Sequence, residues 1–392
     1  MGSSLNAERI KKLVDNCKLD ELRRIGQETG FQDARIRRIA WPYLIRSFGD
    51  VKNFEIKENT TSSFSEQIAL DTKRSCFKYF ASEKAWDEMS EESRAKAHSK
   101  VEEMQNKLNR VLNMVFSQGS SLHYYQGFND LANTVMSVIT DESECAQLCH
   151  HLAANQFSLC TTPSLAPVTD ELSLIFHILG FNEQKLLDHL TKANLNDPFF
   201  AVGWVLTWFA HDIDNTEAIA RMFDFMVCSH PLAAVYAATV VVLVERDGVL
   251  AREADYAEIY SFLRSIMTER DHEREQEWSK EVLRATSKVI AQKEKAMGPP
   301  PHFLGYVQMI LEQTTALLKR MPPASFHTCT DVLFPKYPIL CTSFDEEHLA
   351  KAVARRERRR ELTRTVVVGG ILGLAVVVVV AVASQGRAEG YT

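Results

Sequence analysis

The chain has 392 residues, 45% hydrophobic and 24% charged, with only 12 prolines and 16 glycines, which excludes a disordered or low-complexity chain and supplies a sizeable core. Its net charge of −6 hides a basic segment at 351–364 with seven basic and two acidic residues, which leaves the first 350 residues at −11, a poor surface for nucleic acid. Eight cysteines (17, 76, 145, 149, 160, 228, 329 and 341) lack framework spacing and no signal-peptide pattern precedes them, as expected of reduced thiols in a cytosolic body.

Apolar residues recur mostly at three- and four-residue intervals, so the chain is expected to be all-α. Residues 1–34 are polar and charged, with a helix expected around Ala7 to Arg24 and a break at Gly30; Met1-Gly2 begins a myristoylation-like pattern, but Asn6 stands where Ser or Thr is wanted. Arg35 to Phe48 reads as a short helix in which Trp41 is a large buried anchor. After a polar connection, Ser63 or Ser65 is placed to cap an amphipathic helix carrying Asp71 and Arg74, which are three apart and therefore on one face. On spacing alone such a pair is usually a solvated salt bridge. Ala81 to Phe116 reads as a charged run of two helices, ended by Gln118 to Ser121.

The stretch His123-Tyr-Tyr-Gln-Gly-Phe-Asn-Asp130 then places a carboxamide and a glycine before an apolar helix, Leu131 to Ile139. Gln126 offers an acceptor and donors on one short arm, enough to hold a water by its lone pair and its proton. Alternatively Tyr124 and Tyr125 pack into a helical core and Gln126-Gly127 only turns the chain. Cys145 to Phe157 and Val168 to Gly180 continue as helices; the cluster Cys145, Cys149, His150 and His151 has no second ligand pair downstream, so no metal is expected. Asn196-Asp197-Pro198 signals a helix start, with Asp197 as N-cap, for an apolar helix from Phe199 to His211 whose Trp204 and Trp208 belong to the core and whose His211 and Asp212 make a terminus contact.

Pro231 to Val244 is almost wholly apolar but too short for a bilayer, hence a buried helix, and Tyr256 to Met267 follows as another. A solvated helix is expected over Thr268 to Lys295, a break at Gly298 to Pro301, an amphipathic helix at His302 to Arg320, and a proline-containing linker from 321 to 347. Val366 to Ala383 are 18 consecutive uncharged residues, about 27 Å long as a helix and enough for a thin bilayer. The basic cluster on its N-terminal side places the body in the cytosol, and so near the C-terminus the segment would act as a tail anchor. Its Gly369-x-x-x-Gly373 allows helix pairing in the membrane, but a homodimer is not favoured.

Three short motifs, in order, resemble those of the TBC-domain family, the GTPase-activating proteins of Rab small GTPases: Arg37 to Trp41 matches RxxxW, Ile68 to Arg74 matches IxxDxxR, and Tyr124 to Gly127 matches YxQG. The resemblance covers about Arg35 to Met267 and is closest to a tail-anchored, endoplasmic-reticulum-resident type. It implies a two-lobed helical fold, with Arg74 as an arginine finger and Gln126 as a glutamine finger supplied in trans, Asp71, Tyr124, Gly127 and Asp130 in support, and Arg37 and Trp41 as a structural motif. An arginine supplied this way is worth about 10³ to 10⁵ in rate. Such a protein is an activator rather than an enzyme in its own right, needs no cofactor, and acts on the GTP and Mg held by the Rab. Ala69 and Ser75 stand where the family commonly has proline and threonine; neither position carries a reacting group. The expected layout is an N-terminal helical segment at 1–34, the TBC domain at 35–267, a helical extension at 268–320, a linker with a basic juxtamembrane segment at 321–364, a membrane span at 365–384 and a lumenal tail at 385–392, placed in the endoplasmic reticulum or early secretory membranes. A non-catalytic Rab-binding tether or scaffold is the alternative, and it has less use for both Arg74 and Gln126.

Overall fold

Local capping sets where the helices begin. In the computed structural model, which describes residues 6–49, 60–79, 90–117, 121–268, 303–341 and 345, Asn6 accepts from the Arg9 amide to start α1 (Ala7–Asp15), and Asp33 accepts from the Arg35 and Ile36 amides to start α3 (Ala34–Arg46). The single helix expected over Ala7 to Arg24 is two, because Cys17 takes a left-handed conformation (φ 51°) before α2 (Leu19–Glu28). The helix bearing Asp71 is α4 (Ser65–Lys73). Neither Ser63 nor Ser65 caps it: its N-cap is Phe64, whose amide donates to Oγ of the buried Ser62, while that hydroxyl donates to the Phe116 carbonyl. Arg74 is the C-cap and not a helical residue.

Residues 91–115 form one 25-residue helix, α5 (Glu91–Val115), capped by Ser90; the first part of the expected two-helix run lies outside the described residues. Then come α6 (Phe128–Val138), α7 (Glu142–Ala154), α8 (Ala166–Asn182) and α9 (Gln184–Lys192). The helix expected from Phe199 to His211 is a 3-10 turn, Phe199–Ala201, followed by a short α10 (Val202–Thr207), and it stops where Trp208 (φ 48°) and Phe209 (φ 67°) turn left-handed. Pro198 takes the N-cap position and no side chain caps the turn, so Asp197 does not play the role its sequence position suggested. Trp204 and Trp208 are core residues as expected.

The rest is α11 (Thr216–Met226), α12 (Ala233–Val244), α13 (Arg246–Leu250), α14 (256–268) and α15 (Phe303–Arg320). Among the described residues every regular element is helical, and the one β-bridge pairs Ser62 with Ser117. The apolar α12, buried from Ala233 to Val242, is the central rod; α8 and α15 pack on it, and α15 also packs on α11. Burying such an all-apolar face is the main gain that offsets the ordering of the chain.

Two C-terminal segments read from sequence as extension and linker pack on the body instead. In α15 the buried Tyr306 donates to Glu245 (3.1 Å), and Gln308 accepts from Arg221 (2.9 Å). Residues 321–341 run through short turns that bury Phe326, Cys329, Leu333 and Leu340, with Tyr236 donating to the Met321 carbonyl. Pro323, Pro335 and Pro338 stand in the first turns of three of these elements, where a missing N–H is tolerated, and do not stop the apolar residues between them from reaching the core. His230 Nε2 donates to Asp345 (2.8 Å), both buried, which ties the last described residue to the body. No helix among the described residues is long and apolar enough to cross a membrane; the expected charged helix after Thr268, the basic segment, the span at 365–384 and the tail after it lie outside those residues.

Candidate functional site

Arg37 and Trp41 lie one helical turn apart on α3 and meet the same group, the carboxylate of Asp224 on α11. Asp224 accepts from Arg37 Nε (3.1 and 3.2 Å), Trp41 Nε1 (2.8 Å) and the Phe31 amide (2.9 Å), while the other end of the Arg37 guanidinium is held by Glu217. Gly30 (φ 68°) passes so close that a Cβ there would lie 2.9 Å from Asp224 Oδ2 and 2.8 Å from Arg221 Cδ. With nearly all donors used and buried, this first motif is architecture.

The second and third motifs converge elsewhere. Asp71 faces inward from the last turn of α4 and is fully buried, whereas the Arg74 side chain that pairs with it is 59% exposed. Asp71 Oδ1 takes Arg74 and Gln67 (3.0 Å), and Oδ2 takes the Tyr124 hydroxyl at 2.8 Å. Asn129, at the start of α6, closes the circuit: its Oδ1 accepts from the Gly127 amide (3.1 Å), and its Nδ2 donates to Ser75 Oγ (3.0 Å), which in turn donates to the Asp71 carbonyl (2.8 Å). Two segments 53 residues apart are thereby joined through buried hydrogen bonds, with Arg74 and Gln126 left at the surface.

Gln126 projects because its neighbours are fixed. Tyr124 and Tyr125 are buried on either side of the turn, the latter donating to the Leu206 carbonyl at 2.7 Å. Gly127 is left-handed (φ 113°), and a Cβ there would lie 3.1 Å from Thr207 Cγ2, so backbone conformation and space both favour glycine. The open choice between presenting loop and core packing thus resolves into both: tyrosines inside, glutamine outside. Asp130 pairs with His211 Nδ1 (2.9 Å), and Asp212 with Arg264 (2.8 Å).

Burial, and secondarily the bond to Asp71, pushes the Tyr124 hydroxyl far above its ordinary range, so it serves as a donor and not as an acid. The bond to Asp130 raises His211 above 6.5 against the opposing effect of burial. Burial pushes the Cys76 thiol up to about 12, which keeps it protonated and inert. No group of three or more His, Cys, Asp or Glu among the described residues is arranged to hold a metal. The chemistry available is therefore that of an exposed guanidinium and an exposed carboxamide on a rigid base. Asp224, Asn129, Ser75 and the braces from 206–213 were not legible in the sequence, since each acts through a partner dozens of residues away.

The RabGAP-TBC family, the Rab-GTPase-TBC domain, matches residues 34–248, more than half of the chain, and the chain belongs to that family. Among its relatives are the GTPase-activating protein gyp10 of Schizosaccharomyces pombe, 28% identical over 246 residues (62% of this chain, 61% of that protein). TBC1 domain family member 20 of Homo sapiens is 27% identical over 275 residues (67% of this chain, 64% of that protein). The chain thus spans less than two thirds of the length of these curated relatives. Solved structures with partial likeness are the Ypt/Rab-GAP domain of Gyp1p (TM-score 0.48, 14% identity, 81% of this chain and 99% of that one) and the Chlamydomonas flagellar RabGAP TBC domain (TM-score 0.37, 16% identity, 68% and 82%).

Proposed function

We propose that this chain accelerates GTP hydrolysis by a Rab small GTPase, with Arg74 and Gln126 inserted together beside the nucleotide of the partner. The observation that carries this is the pairing of exposure with rigidity: the two side chains stand at the surface while one buried network, Asp71, Tyr124, Asn129 and Ser75, holds both of their backbones. Phosphoryl transfer to water asks for charge stabilisation and placement more than for covalent chemistry. Arg74 brings a planar fork of donors, of which Asp71 engages only part and orients the rest. Gln126 accepts from the attacking water with its carbonyl and donates with its amide, replacing the water-positioning group of the GTPase. GTP and Mg belong to the partner; the chain brings no cofactor of its own.

We further infer that the apolar stretch at 366–383 holds the body on the cytosolic face of a thin membrane such as the endoplasmic reticulum, in the early secretory pathway. Its length and the basic segment before it support this. A glycosylation acceptor added after Thr392 is expected to be modified and one near Ser343 is not; the reverse pattern would overturn the orientation.

The test of the activity is hydrolysis by a panel of GTP-loaded Rabs mixed with the full chain in detergent. At least one Rab should be accelerated, and Arg74→Ala should remove about 10³-fold or more of that acceleration while the protein still folds. Arg74→Lys should fail nearly as badly, since a point charge does not match the fork. Gln126→Ala should also be severe, and the double variant little worse than the worse single one, because groups acting as a unit are not additive. Full activity of Arg74→Ala would sink the proposal, and binding without acceleration of any Rab would leave the tether.

A further inference from the structure

Between α10 and α11 the chain makes a tight corner that touches both halves of the site. On one side Lys78, four residues after Arg74, donates through Nζ to the carbonyls of Ala210 and Ile213, the latter at 3.0 Å. On the other, Tyr125 donates to the Leu206 carbonyl, Thr207 fills the space that a Cβ on Gly127 would need, and His211 pairs with Asp130, four residues after Gln126. Thr207 Oγ1 also accepts from the His211 amide (3.1 Å), so these contacts share one short stretch of backbone. Its shape is unusual: Trp208 and Phe209, both large, are successive left-handed residues. Such backbone persists only where the surroundings fix it. Here Trp208 packs on Phe157 (centroids 4.7 Å apart) and edge-on against Phe223 (5.2 Å), and Phe209 stacks on Trp204 (5.6 Å). The far end is held by Arg264 on Asp212.

We infer that the 206–213 corner is the gauge that sets the Arg74 and Gln126 segments relative to each other, with Lys78 and His211 as positioning residues for hydrolysis in the bound GTPase. The inference rests on the activator function proposed above. Neither residue reaches the partner's nucleotide in this scheme; each fixes a finger-bearing segment against a common strut. The buried bonds of Tyr124 to Asp71 and of Asn129 to Ser75 join the two segments directly at their inner ends; the corner ties both of them to a third element, whereas a contact such as Gln105 on the Lys73 and Ser75 carbonyls holds one side alone. His211 faces Asp130 from α6, Asp212 beside it in the chain and Lys78 from the 3-10 turn Phe77–Tyr79; the two acids favour its charged form and the lysine opposes it. The His211–Asp130 tie is therefore strongest below the His211 pKa and weakens as pH rises through it.

The test uses the full chain in detergent with a GTP-loaded Rab that it accelerates. Lys78→Met and His211→Leu are expected to lower kcat by roughly 10- to 100-fold, the scale of a misplacement of about 1 Å, with KM for the Rab nearly unchanged. Lys78→Arg, which can still reach two carbonyls, and His211→Asn, which keeps a donor, should recover most of the loss. The ratio of wild-type to His211→Asn activity should fall as pH is raised from about 6 to 8. A second readout needs no Rab: in Lys78→Met, hydrogen exchange should quicken in the 121–127 segment on the opposite side of the corner while α1 is unaffected. Unchanged kcat in folded variants, or exchange that quickens only next to the substitution, would overturn the inference. Should Lys78→Met and His211→Leu fail to fold, the pH ratio of His211→Asn and its exchange at 74–79 decide in their place. If the wild-type chain accelerates no Rab, the activator function falls and exchange alone decides whether the corner couples the two segments.

Discussion

Among the described residues two fully buried aspartates, Asp71 and Asp224, are each paired with an arginine from one of the short motifs, and the two pairs are built in opposite ways. Around Asp224 the arginine is buried with it: Arg37 is 3% exposed and its fork is shared between Asp224 and Glu217. Around Asp71 the arginine is 59% exposed and has only one partner on the carboxylate, so most of its donors remain for something outside the molecule. An identical chemical pair is mortar in one place and, in the function proposed, a held tool in the other. The difference lies in how many of the arginine's donors the fold consumes, and α-helical spacing cannot reveal that.

The same change at both aspartates should break the likeness. Asp224→Asn strips a buried guanidinium of half its charge partners and is expected to cost about 3–5 kcal/mol of stability, seen in urea or thermal unfolding. Glu171 sharpens the comparison as a third buried acid: no arginine or lysine among the described residues pairs with it, and burial alone pushes it up to about 8. Its folded pKa is thus raised above the unfolded 4.5, so the native state holds the extra proton, and stability should fall as pH climbs from about 5 to 8 and level off above that. The drop should be on the order of 2–4 kcal/mol and should flatten in Glu171→Gln, as denaturant midpoints across that range would show. Asp71→Asn should be the mildest for stability, about 1–2 kcal/mol, because Tyr124 keeps an acceptor and Arg74 returns to water. Its hydrolysis activity should suffer nonetheless, since the arginine loses its orienting charge; an Asp71→Asn protein as unstable as Asp224→Asn would show that the two nodes do the same work.

Much of this was legible in the residues themselves. Arg74, Asp71, Tyr124, Gln126 and Gly127 announce themselves because each sits in a short pattern, and the helices at 34–46 and 233–244 follow from periodicity and apolar content. What sequence missed was pairing over distance: Trp41 points to no partner until α11 brings Asp224 from 183 residues away. It also missed conformations imposed by packing. Nothing in Phe199 to His211 says that an apolar helix stops at Thr207, because the rings packed on the left-handed Trp208 come from elsewhere in the chain, Phe157 beyond α7 and Phe223 on α11. Likewise the prolines of 321–341 read as a linker, while Phe326, Cys329 and Leu333 between them are core residues.

The buried His230–Asp345 pair has a bearing on reach. It pins the chain to the body at residue 345, twenty residues before the membrane span expected from residue 365. At roughly 3.3–3.6 Å per residue, that leash can never exceed about 70 Å. An anchored copy would therefore patrol a shallow dome of cytosol and meet Rabs on its own membrane, or on one drawn up close, at a high effective concentration, while a Rab on a distant vesicle would lie beyond its range. Severing the His230–Asp345 tie would lengthen the leash and widen that territory without altering a single atom of the arginine or glutamine proposed to do the chemistry.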